Sequence, residues 1–175
     1  DLSPKLQSES DDRCVRQLRA LGPLRIVFLS RISQIKNLDF LLRVLIDVTQ
    51  PVELAIYGPT EDKEYWSICK TLIAKLPTNV VATYKGEVTP DQVHDVLAAN
   101  DLFALPTRGE NYGHVILESL RAGTPVLVSD QTPWQADNAG SVTTLSLAAT
   151  SRWTEEMNRW AQLDSAQLRS LRLAA

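Results

Sequence analysis

Residues Leu102–Ser129 read LFALPTRGENYGHVILESLRAGTPVLVS. The unbroken apolar run Leu102–Leu105 stops at Pro106 and a polar loop follows. A helix is expected from Gly113 to Ala122, with Gly123 as its C-terminal stop. A second apolar run, Pro125–Ser129, comes next. Runs apolar on every residue suit strands covered on both faces, which is the condition of a central parallel strand. Strand, helix and strand in this order make one right-handed crossover unit.

The same alternation extends upstream. Leu24–Ser30 (LRIVFLS) is a first apolar strand. Asn37–Val48 places Leu38, Leu41, Leu42, Leu45 and Ile46 at helical spacing, with Asn37 as its N-cap. Val52–Tyr57 is a strand ended by Gly58-Pro59, Glu61–Leu76 a helix, and Val80–Tyr84 a third strand. Thr89-Pro90-Asp91 opens a helix that runs to about Ala99. Beyond Asp130 the pattern gives a short sixth strand, Val142–Leu145, and helices over Thr154–Leu163 and Ser165–Leu173. Trp153 and Trp160, seven apart, share a face expected to be buried. The expected fold is α/β: a doubly wound, Rossmann-like parallel sheet of about six strands with helices on both faces. Residues 1–22 read as a polar linker with a helix over Asp12–Ala20, and residues 23–175 as the domain.

Composition narrows the function. The chain has 175 residues, 44% hydrophobic and 22% charged, which suits one globular domain. A net charge of −3, from 18 basic and 21 acidic residues, argues against nonspecific nucleic-acid binding. No apolar run reaches the roughly 20 residues that span a bilayer, and no signal peptide is visible. Cys14 and Cys69 match no metal or redox spacing, so a reducing, cytoplasmic setting is expected. Asp1 at the start is what a piece of a longer protein would show. No G-x-G-x-x-G follows the first strand, which disfavours a dinucleotide enzyme. A receiver-like module would need acidic residues after that strand, where this chain carries Arg31 and Lys36.

Ligands of such sheets bind at the carboxyl ends of the strands, near the switch in strand order. Four loops leave those ends: Ser30–Lys36, Gly58–Glu61, Gly86–Pro90 and Pro106–Tyr112. Arg31 and Lys36, five residues apart, can grip a diphosphate, Arg as a planar fork and Lys as a mobile charge; each alone is equally a solvated loop residue. Glu110, Asn111, Tyr112 and Gly113 precede a helix whose free N–H groups favour an anion, and Asn111 is alternatively a plain cap. Glu118 stands among Val115, Ile116, Leu117 and Leu120 and is expected to be buried. A buried carboxylate needs a polar partner, such as a ligand hydroxyl or a basic residue.

Three stretches in this order carry a family resemblance: RISQIK before a helix, GEV before a helix, and PTRGENYGHVILESLRAGTPVLVSDQTPW. From Leu24 to Trp134 the chain resembles the carboxyl-terminal, donor-binding domain of retaining GT-B glycosyltransferases of group 1, glycosyltransferase family 4. The resemblance implies transfer of a hexose-type sugar from a nucleotide diphosphate sugar to an acceptor hydroxyl, with retention of configuration. Arg31 and Lys36 would hold the diphosphate, and Glu110 would bind the hydroxyls of the transferred sugar. Asn111, Tyr112, Gly113 and His114 would approach sugar and phosphates. Glu118 would accept from the ribose, Val88 of the GEV segment would flank the base, and Gly58 with Pro59 would line the same end. It further implies no bound metal or cofactor, an amino-terminal acceptor domain outside this chain, a role in polysaccharide biosynthesis, and a lipid-linked acceptor at the inner face of a membrane as an alternative to a freely soluble one.

The chain departs from the family pattern at three places. Asn37 stands where glycine is frequent, Tyr112 where Phe is common, and His114 where an apolar residue is usual. His94 reads as a surface residue, and Trp134 as core packing at the border of the cleft. Two other readings stay open: another GT-B enzyme, such as a phosphorylase or a sugar-nucleotide epimerase, and a non-catalytic nucleotide- or phosphate-binding module on a doubly wound scaffold.

Overall fold

The computed structural model describes residues 22–175. The helix expected over Asp12–Ala20 and the proposed linker lie outside those residues, Gly22 apart. Six strands form one sheet: β1 Leu24–Leu29, β2 Val52–Tyr57, β3 Val80–Gly86, β4 Leu102–Leu105, β5 Val126–Ser129 and β6 Val142–Leu145. Their order is β3-β2-β1-β4-β5-β6 and every pairing is parallel. Strand order therefore reverses between β1 and β4, which places the loops after these two strands side by side.

The helices are α1 Leu38–Ile46, α2 Lys63–Ile73, α3 Val93–Ala98, α4 His114–Arg121, α5 Thr150–Gln162 and α6 Ser165–Ala174. Right-handed crossovers put α1 and α2 on one face of the sheet and α4 on the other. α1 packs against α2 and α5, and α3 against α4. α1 buries Leu38, Leu41, Leu42, Val44 and Leu45 on the sheet. Trp153 and Trp160 of α5 are fully buried, and Phe40 of α1 meets Trp153 edge-on at 5.3 Å between ring centroids. At the opposite end from the site, Arg25 of β1 pairs with Asp101 just before β4, 3.0 Å between Nη2 and Oδ1.

Beyond element ends that shift by one to three residues, three elements differ from the sequence reading. β3 runs on to Gly86, and a register shift pairs Tyr57 with Gly86. The helix expected from Thr89 opens as a 3-10 turn, Pro90–Gln92, held by a reciprocal cap between Thr89 and Gln92, before α3 begins. α5 starts at Thr150, four residues early; Ala149 has no capping side chain, so no sequence signal marks the start. No helix of the described residues is long and apolar enough to cross a membrane.

Candidate functional site at the strand-order switch

The loops after β1 and β2 meet first. Ser30 N–H donates to Tyr57 O at 3.1 Å and Ile32 N–H to Pro59 O at 3.0 Å. Gly58 is buried between them with φ 138°, and a Cβ there would lie 1.8 Å from Ser30 O. Only glycine tolerates that approach. The Gly58 carbonyl accepts from the Tyr84 hydroxyl at 2.8 Å and its N–H donates to Gly86 O at 2.9 Å. Both of its polar atoms are thus engaged, and it supports the loop that carries Arg31. Arg31 is exposed, with no side-chain hydrogen bond or ion pair to the described residues.

The loops after β1 and β4 meet next, through charge. Lys36 Nζ donates to Glu110 Oε2 at 2.6 Å, and both side chains are largely shielded. Burial alone would raise the Glu110 pKa. The hydrogen bond and charge of Lys36, with the backbone N–H groups of Gly113 and Asn111, outweigh it and hold the carboxyl below its ordinary range. Lys36 and Glu110 therefore form one ion-paired unit, with Glu110 three residues before the Gly113 tip of α4.

Asn37 sits at the N-cap of α1, but its side chain caps nothing. Its backbone is left-handed, φ 64° and ψ 38°, and its amide turns away from the helix. Nδ2 donates to Pro106 O at 2.9 Å, and Oδ1 accepts from Arg108 Nε at 3.1 Å. Arg108 N–H also donates to Ile35 O at 2.7 Å, and the Thr107 hydroxyl donates to the same carbonyl at 3.2 Å. Arg108 and Thr107 were absent from the sequence reading. Ile35 and Asn37, the partners that tie them to the other loop, lie about seventy residues away, and the only signal was a cation inside a loop already marked as functional.

Gly113 provides the N-cap of α4 with φ 68°. An added Cβ would meet Ile116 Cδ1 at 2.8 Å and Trp134 Nε1 at 3.0 Å. Trp134 packs partly against the core while its indole N–H donates to Tyr112 O at 3.1 Å, so it backs the helix tip from below. Tyr112 is 74% exposed and its ring stacks on His114, 5.8 Å between centroids. Asn111 is exposed, and no side-chain cap closes the first turn of α4.

Glu118 corrects an expectation: it is exposed. α4 buries Ile116 and Ser119, while Val115, Leu117 and Leu120 are only half-covered, so the apolar residues around Glu118 do not enclose it. The carboxylate instead lines a hollow of about 140 Å³ with Arg121 and with Pro90, Val93 and His94 at the start of α3. Val88 is half-buried against the core just before that turn. α4 ends as the sequence indicates: Gly123, φ 69°, donates to Leu120 O, and Thr124 N–H to Ser119 O at 2.9 Å. A larger hollow, about 250 Å³, lies over β1–β3 between Arg25, Glu53, Val81 and Lys85 and includes none of these residues. The strand-order switch, where charge and helix tip converge, is the better candidate on chemistry. Among the described residues no three His, Cys, Asp or Glu side chains are grouped to hold a metal ion.

A parallel sheet in this order, with the Lys36–Glu110 pair and a glycine-led helix tip at its switch point, defines a doubly wound α/β class of fold, whose ligands sit at that point. The profile of the family described as glycosyl transferases group 1 matches residues 14–153, and the chain belongs to that family. It is similar to a D-inositol 3-phosphate glycosyltransferase of Rhodococcus erythropolis, 28% identical over 62% of this chain and 26% of that protein. It is also similar to a glycogen synthase of Thermosipho melanesiensis, 34% identical over 59% of this chain and 21% of that protein. Among solved structures, Anabaena HepE in complex with UDP and glucose shares the fold, with TM-score 0.72 and 18% identity over 97% of this chain and 46% of that one. The chain thus spans about a quarter of these curated relatives.

Proposed function

We propose that this chain is the donor-binding domain of a retaining glycosyltransferase that moves a sugar from a nucleotide diphosphate sugar to an acceptor hydroxyl. The observation that carries the proposal is the Lys36–Glu110 pair, with Glu110 three residues before the Gly113 tip of α4, at the switch between β1 and β4. Membership of the group 1 family supports it.

In this reading the diphosphate lies across the tip of α4. Arg31 and Lys36 neutralise it, and the free N–H groups of the helix tip add donors without moving. Negative charge grows on the diphosphate as the sugar departs, so the same groups stabilise the transition state more than the bound donor. Glu110, kept ionised by Lys36, can only accept hydrogen bonds, which suits it to sugar hydroxyls. Glu118 takes the ribose hydroxyls at the hollow beside α3, with Val88 toward the base. Asn111, Tyr112 and His114 shape the sugar side, and Gly58 supports the Arg31 loop. The proposed chemistry uses no metal or cofactor, because the two cations and the helix tip supply the charge.

The acceptor site is assigned to an amino-terminal domain outside this chain, which would close over the donor and exclude water. We place the whole enzyme in the cytoplasm, with a lipid-linked acceptor at the inner membrane face as a further option and polysaccharide synthesis as its role. Thermal shifts with UDP-, GDP- and ADP-sugars test the domain reading. One base should stabilise the chain, and Arg31→Ala and Glu118→Gln should each reduce that shift. Equal stabilisation of wild type and both variants contradicts the placement.

A further inference from the structure

We propose that Asn37 and Arg108 form a clasp that sets Lys36 against Glu110, which makes both of them positioning residues for the donor diphosphate; the ligand half of this inference rests on the donor-binding reading. Asn37 is the one non-glycine residue with positive φ among the described residues. That conformation is costly for most residues with a Cβ, less so for asparagine, and glycine would adopt it freely. Asparagine adds an amide, and here both ends of that amide are engaged, one with Pro106 O and one with Arg108 Nε, although the residue is only 2% exposed. A glycine would leave the buried Pro106 carbonyl without this donor, and the Arg108 guanidinium without its partner.

Chain order converts the clasp into positioning. Asn37 follows Lys36 directly, and Arg108 lies two residues before Glu110. Tying 37 to 108 brings 36 opposite 110, and the backbone bond from Arg108 to Ile35 acts in the same sense. The ion pair joins two loops, and the loop-to-loop hydrogen bonds of Asn37 and Arg108 add to it in fixing their geometry.

The test uses the full 175-residue chain and two readouts. In the first, without ligand, the Glu110 carboxyl is titrated by carbon NMR; Lys36 is the charged side chain that faces it, beside the N–H groups of Gly113 and Asn111. In Asn37→Gly and Arg108→Ala the Glu110 pKa should rise toward its value in Lys36→Ala. Arg108 is exposed, so Arg108→Ala keeps the test available even if Asn37→Gly fails to fold. A Glu110 titration unchanged in folded Arg108→Ala overturns the clasp. In the second, UDP, GDP and ADP binding is measured by calorimetry. Each variant should weaken the favoured nucleotide by roughly two- to tenfold, the worth of one hydrogen bond, and should cause no further loss in a Lys36→Ala background. Additive losses in that background mean that Arg108 acts independently of Lys36 and overturn the positioning role. Failure of the wild type to bind any of the three contradicts the donor reading instead, and the titration still decides the clasp.

Discussion

Lys36 and Glu110, 74 residues apart in sequence, are joined by a hydrogen-bonded ion pair of 2.6 Å across the switch in strand order. The pair depresses the Glu110 pKa in the folded chain relative to the unfolded one. A depressed carboxylate contributes stability that is present above its unfolded pKa and is lost as pH falls through its folded pKa. Lys36→Ala should therefore lower stability at neutral pH while leaving the strongly acidic limb nearly unchanged, so the stability difference between wild type and variant shrinks on acidification. Urea unfolding from pH 7 down to pH 3 checks this. A difference that stays constant with pH contradicts it.

Gly113→Ala should cost about 1–3 kcal/mol from the left-handed backbone and the contact with Ile116. Gly58→Ala should be more damaging, because the obstacle there is the Ser30 carbonyl of the backbone, which cannot rotate away as a side chain can. Chemical denaturation of both variants gives the order. A Gly58→Ala protein as stable as Gly113→Ala would contradict the packing of the first two loops.

Arg31→Ala should leave stability within about 0.5 kcal/mol of wild type, the usual range for an exposed residue away from special contacts. It should nonetheless weaken nucleoside diphosphate binding by roughly tenfold, the scale of a charge-assisted hydrogen bond. Calorimetry alongside thermal melting separates the two effects. A fall in melting temperature without a loss of affinity would mean that Arg31 is a structural residue.

Cys69 is fully buried on the inner face of α2, and burial pushes its thiol up to about 11. The thiolate is the reactive form, so the folded chain should protect Cys69 from thiol reagents at neutral pH. In a Cys14→Ser background, labelling should proceed only as fast as the protein opens, and should accelerate in urea. Rapid labelling of the native variant would contradict the packing of α2.

The sheet was legible in the sequence because β1, β4 and β5 are short, nearly continuous apolar runs, and the strands are stopped by Pro106, by Gly58-Pro59 or by polar residues. The loops of the site were legible for the same reason, since each must leave a strand's carboxyl end. The details that escaped depend on tertiary geometry. Whether Asn37 caps a helix or bends left-handed and reaches across to Pro106 is invisible in its local sequence. Apolar neighbours in sequence suggest burial of Glu118, whereas α4 turns only Ile116 and Ser119 fully inward. Arg108 has no periodic signal, and its role is defined by a partner 71 residues away.

The most direct test of the account is a crystal structure of the chain with its preferred nucleoside diphosphate. The phosphates should lie within hydrogen-bonding distance of Arg31, Lys36 and the N–H groups at the Gly113 tip, with the ribose at Glu118. Phosphates seated elsewhere, for instance in the larger hollow between Arg25 and Lys85, would contradict it.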